Sequence, residues 1–198
     1  MPRSESPRGQ RQRTRIAQTA ARLIAEHGLS DWSAAKRKAC RELGLTDHEA
    51  LPGNDEVEQA LRDYNSLFRA DAQATSLRQQ RQAALDWMER LAAWHPVLVG
   101  GVAAGWATAH SDVRLELEAE DAKAVELALI NAGIDYQSGN VGQPPLTQLV
   151  AGRGERAVRL QIVTPQQRRN RLRRDEDARL TRAELQALLD AGAAAPTG

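Results

Sequence analysis

With 198 residues, 41% hydrophobic and 27% charged, the chain has an ordinary globular composition and is long enough for one large domain or two small ones. A formal net charge of +1 excludes a global field that recruits polyanions, so any nucleic-acid contact needs a local patch. The single cysteine, Cys40, excludes an intrachain disulfide and a cysteine-built zinc site, and no apolar run reaches signal-peptide or membrane-spanning length. The expectation is a soluble, cytoplasmic protein with no membrane partner.

In chain order, Met1 to Gln12 carries Pro, Ser, Gly and Arg without an apolar period and reads as a disordered basic tail. Residues 13–95 read as a helical region of about four helices. The first runs from about Thr14 to His27, with Ile16, Ala20, Leu23 and Ile24 on one face and Gly28 as its stop. The second opens at Ser30 or Asp31, carries Trp32, Ala35, Ala39 and Leu43, and ends at Gly44. In it, Cys40 reads as a small packing residue. The third is capped by Asn54, has Asp55 and Glu56 at its positive end, and lines up Val57, Ala60, Leu61, Tyr64, Leu67 and Phe68. The fourth spans about Ser76 to Trp94, with Leu77, Ala84, Leu85, Met88, Leu91 and Ala92 inward.

The pattern changes at Pro96, and residues 96–164 read as a small α/β region. Val97-Leu98-Val99 is a short buried strand that runs into Gly100-Gly101. Asp112 to Glu118 alternates, with Val113, Leu115 and Leu117 on one face and Asp112, Arg114, Glu116 and Glu118 on the other. A helix from about Asp121 to Asn131 presents Val125, Leu129 and Ile130, and Gly133 closes it. Further strands are expected over Ile134–Gln137, Leu146–Ala151 and Arg156–Val163, the last two joined at Gly152-Arg153-Gly154. Residues 165–198 read as an arginine-rich linker after Pro165, then a C-terminal helix opened by a Thr181/Glu184 capping box.

The stretch Val97 to Leu117 carries the chemistry. Gly100 and Gly101 let the backbone approach a ligand closely, and the helical piece after them aims N–H groups at a phosphate. Asp112, at the mouth of the next strand, is placed to hold a metal ion beside that phosphate. This Gly-Gly pair after a strand, a later glycine at Gly105, and Ser111-Asp112 opening a second strand resemble the nucleotidyltransferase superfamily that includes DNA polymerase beta. Leu98 to Tyr136 and Ala21 to Leu45 are also similar to a proteobacterial group with this fold. The resemblance implies an α+β protein in which a helical region is followed by a small nucleotidyltransferase-like mixed sheet with flanking helices. It further implies that Asp112 is the catalytic metal ligand, that Gly100, Gly101, Gly105 and Ser111 shape a nucleotide pocket, and that Mg2+ is the cofactor if the site is active.

The acidic motif is degenerate. The superfamily's second acid falls at position 114, which is Arg, and the strand expected to supply the third offers Arg159 and Gln161. A two-metal site needs several carboxylates, and Glu116 stands two pleats from Asp112. The expectation is therefore binding of a nucleotide or RNA with weak or lost transferase activity, a pseudoenzyme. Arg114 has two readings: a direct phosphate ligand in place of a metal, or a surface charge paired with Glu116 or Glu118.

Arg168, Arg169, Arg171, Arg173 and Arg174 form a basic cluster able to contact a nucleic-acid backbone, or to pair with Asp175, Glu176 and Asp177 as a solvated linker. His27, His48 and His95 have no metal-ligand spacing, and His110 precedes Ser111-Asp112. Two alternatives remain: a DNA-binding regulator working through Lys36, Arg37, Lys38 and Arg41, or a protein-interaction module on an inactive scaffold. The sequence does not give the oligomeric state.

Overall fold

The computed structural model describes residues 7–29, 31–45, 51–68, 70–139, 147–154, 157–170 and 178–194. Among these are eight α-helices and one six-stranded mixed sheet, the α+β architecture expected. The chain divides into two compact units, Met1–Ser76 with Trp106–Ser111, and Leu77–Gly105 with Asp112–Gly198. No helix among the described residues is long and apolar enough to cross a membrane.

In the first unit, α1 (Pro7–His27) begins well before Thr14, which corrects the reading of a disordered tail through Gln12. Proline suits the first helical position, and the Gln and Arg residues that follow propagate a helix well. The arginine that ends that run, Arg13, is tied to Glu56 of α3 (Asn54–Phe68) at 2.8 Å. Ile16, Ala20, Leu23 and Ile24 are buried as their spacing predicts.

Helix α2 (Trp32–Glu42) is capped by Asp31, whose carboxylate accepts from the N–H groups of Ser33 at 2.8 Å and Ala34 at 3.2 Å. It closes with Gly44 at φ +65° and Leu45 N–H donating to Cys40 C=O at 2.9 Å, a Schellman ending. Cys40 is fully buried, as a packing residue should be. Helix α3 is capped differently from the expectation. Glu56 reaches back to the Gly53 N–H at 2.7 Å, so Gly53 is the cap residue, and Asn54 instead accepts from Lys36 Nζ at 2.8 Å. Leu67 and Phe68, expected inward, are exposed; Phe68 rests on Tyr64 with ring centroids 5.0 Å apart.

Helix α4 (Ala70–Arg90) is followed by a 3-10 turn at Ala92–Trp94, so Ala92 is exposed while Leu91 is buried. His95 then adopts φ +46°, a left-handed conformation uncommon for a residue other than glycine.

The sheet of the second unit runs β3 (Tyr136–Gly139), β4 (Thr147–Ala151), β5 (Val158–Val163), β2 (Val113–Glu118), β1 (Val97–Val99) and β6 (Arg179–Leu180). β1 is antiparallel to β2, and β2 is parallel to β5. The parallel pair requires a long crossover, which begins with α6 (Ala122–Asn131). Alternation sorts the two faces. Leu98, Leu115, Leu117, Leu149 and Leu160 are fully buried on one of them. Each such leucine contributes about 1.5–3 kcal/mol on burial. The opposite face collects the polar residues. On α6, Val125 and Leu129 are buried, but Ile130 is 57% exposed, which corrects its placement in the core.

After β5, Pro165 does not start a linker. It opens α7 (Pro165–Asn170), because Thr164 and Gln167 form a capping box: Thr164 N–H donates to Gln167 Oε1 at 2.8 Å and Gln167 N–H to Thr164 Oγ1 at 3.1 Å. The predicted box at Thr181 and Glu184 is present and opens α8 (Arg182–Ala194). Strand β6, not anticipated, pairs with the free edge of β1.

Candidate functional site

β1 delivers Val99 to Gly100, whose φ of +74° and ψ of −157° lie in a region open in practice only to glycine. Gly101 begins α5 (Gly101–Ala104), and Gly105 ends it at φ +89° with its N–H donating to Gly101 C=O at 2.8 Å. At four residues, α5 is too short to carry a useful macrodipole. Arg81 of α4 caps its far end, donating to Val102 C=O at 3.1 Å, and burial lowers the pKa of this arginine.

Ser111 is the last residue of the first unit. Its Oγ accepts from the Thr108 N–H at 3.0 Å, and its own N–H donates to Thr108 C=O at 3.0 Å, so the hydroxyl closes a turn. His110 belongs to the same turn. A Cβ added at Gly28 would lie 2.8 Å from its ring carbon, so His110 packs where only glycine fits.

Asp112 enters β2 with one carboxylate oxygen bound to Arg159 Nε at 2.6 Å. This pair is more than one-third exposed on both sides and contributes about 0.5 kcal/mol. Arg114 and Arg159 are register partners across the parallel β2–β5 ladder, with strands about 4.8 Å apart, so both guanidinium stems rise from one face. Arg114 is exposed and has no hydrogen bond or ion pair among the described residues. It does not pair with Glu116 or Glu118. Its Cδ lies 3.6 Å from where a Cβ on Gly100 would stand, which brings the glycine turn and this arginine together.

Glu116 occupies the next polar position on β2 and is completely buried. Its carboxylate accepts from Arg168 Nε of α7 at 3.2 Å and from Arg179 of β6. Arg168 also binds Glu118 at 3.1 Å and the carbonyls of His95 at 3.0 Å and Glu116 at 3.2 Å. The left-handed His95 thus turns its carbonyl to a guanidinium. Arg168 is an internal tie, so it leaves the exposed basic cluster. Arg169 is exposed, and Arg171, Arg173 and Arg174 lie outside the described residues.

These contacts decide how well the face suits a metal. The three carboxylates along β2 (Asp112, Glu116 and Glu118) each face a guanidinium. No group of three or more metal-ligating side chains occurs among the described residues. The donor set does not fit a pair of divalent ions, whose charge needs several free carboxylates.

In the first unit, Lys36 is buried against Asn54, and Arg37 stands 4.0 Å from Asp31. Desolvation lowers the Lys36 pKa, partly offset by the charges of Asp55 and Glu56. Lys36 is therefore a structural cation and not a surface one.

No protein-family model, curated protein or solved structure matches the chain.

Proposed function

We propose that this protein binds a nucleotide on a nucleotidyltransferase-like scaffold and has weak or lost transferase activity. The observation that carries the reading is the arrangement at the end of β1. A strand runs into Gly100-Gly101, a short helix and Gly105 follow, and Asp112 opens a strand antiparallel to the first and parallel to β5. Gly100 and Gly101 leave room for a phosphate to approach the backbone. Asp112 and Arg114 project beside that turn, and Arg159 holds the Asp112 carboxylate in place. With Arg at position 114 and the other β2 carboxylates engaged by arginines, the described residues of this face offer no set of free acids of the kind that carries phosphoryl transfer. Ligand recognition remains as the chemistry the face can perform.

A thermal-shift screen of the full chain against the nucleoside triphosphates, with and without Mg2+, tests this reading. A ligand at a hundredfold excess over its Kd adds about 2.7 kcal/mol of stability, which is readily seen. Stabilisation by at least one nucleotide is expected. Absence of a shift with every nucleotide in both conditions would contradict it.

A further inference from the structure

We infer that the face of the β1–β2–β5 strands beside Gly100 is a metal-independent oxyanion site. It would be built on Arg114 and Arg159 and take a phosphate or diphosphate group such as a nucleotide carries. The inference rests on the nucleotide reading and replaces its metal with guanidinium groups.

The charge balance at this point is the basis. Like charges directly across a ladder are unfavourable, and Arg114 and Arg159 are direct register partners. One carboxylate, Asp112, faces them, and it binds Arg159 through Nε, leaving the two terminal nitrogens of that guanidinium without a partner among the described residues. Arg114 is exposed with no partner among the described residues. The nearby acids do not serve it, because Glu116 and Glu118 are held by Arg168 and Arg179. One positive charge is left over, held at an exposed position beside a turn that carries no side chain at Gly100. Guanidinium groups bind phosphate through paired, charge-assisted N–H donors and need no metal to do so. The arrangement is therefore complementary to an oxyanion, whose charge would offset the repulsion across the ladder.

Calorimetric titrations of the full chain with inorganic pyrophosphate and with ATP, in chelator and then in Mg2+, test the inference. Both ligands should bind in chelator. Arg114→Gln should weaken that binding at least tenfold, and Arg114→Lys should recover part of the loss. Tighter binding of ATP than of pyrophosphate would show that the nucleoside is also read, whereas equal binding would assign recognition to the phosphates alone; either supports the site. Because Arg114 is exposed, the Gln variant should fold and be slightly more stable than wild type without ligand. Binding of ATP that requires Mg2+, or that is unchanged in Arg114→Gln, would overturn the inference and leave the nucleotide reading standing. No binding of ATP in either condition would overturn both.

Discussion

Arg168 reaches from α7 to the fully buried carboxylate of Glu116 in the middle of β2, and Arg179 of β6 meets the same carboxylate. Both ends of the stretch from α7 to β6 are thus anchored to one side chain in the sheet. A buried carboxylate is tolerated only when its charge is matched, and here two guanidinium groups do so.

Glu116→Gln should therefore cost about 3 kcal/mol, because it leaves the largely buried Arg179 without its counter-charge and Arg168 with Glu118 alone. Urea unfolding measures this directly. In a double-mutant cycle with Arg168→Met, the two changes should be clearly non-additive. A loss under about 0.5 kcal/mol, typical of a surface site, would show that Glu116 does not anchor the two elements.

The helix-capping cluster of the first unit should make stability rise with pH in two separate windows. Burial pushes the Glu56 carboxyl up, but hydrogen bonds from Arg13 and the Gly53 N–H, with the charges of Arg13 and Lys36, bring it below its ordinary value of 4.5. A carboxyl whose folded pKa is depressed contributes stability that is complete above the unfolded value and is lost as pH falls through the folded one. Glu56→Gln should flatten the acid limb of the stability profile below about pH 4.5. Lys36 acts in the same direction at higher pH. Its folded pKa lies below 10.5, so the unfolded chain binds more protons and stability rises with pH between the folded value and 10.5. That alkaline rise should be absent in Lys36→Met. Identical profiles for wild type and both variants would refute the assignment.

Gly100→Ala separates backbone strain from crowding. The added Cβ would sit 3.6 Å from Arg114 Cδ, an ordinary contact, so the cost arises from φ +74° alone. A loss of about 1–3 kcal/mol in denaturant unfolding is expected. A neutral substitution would mean that the turn readily adopts another backbone path.

Much of the fold was legible because it is written in local periodicity. The 2-residue alternation of Val113, Leu115 and Leu117 and the helical spacing of Ile16, Ala20 and Leu23 each give a face, and both faces are buried. Chain ends of elements were read less well. The Thr164/Gln167 box has the same signature as Thr181/Glu184, but the proline between its members reads more readily as a breaker than as a first helical residue. Leu67, Phe68 and Ile130 follow the helical period and are exposed, because periodicity marks a face without showing how far along it the neighbouring element reaches.

The glycine turn and Asp112 were visible as a motif, since their spacing is local. The partners of Glu116 were not. They lie 52 and 63 residues away in sequence, and no local pattern sets a strand glutamate against arginines from a later helix and strand. The same distance effect hid the Asp112–Arg159 pair, which joins residues 47 apart.

The most direct test of the central claim is where a nucleotide lands. In an amide NMR titration of the full chain with ATP, the account predicts saturable shifts concentrated at Gly100, Gly101, Asp112, Arg114 and Arg159. Shifts confined to the first unit around Arg37 and Arg41, or none at saturating nucleotide, would contradict it.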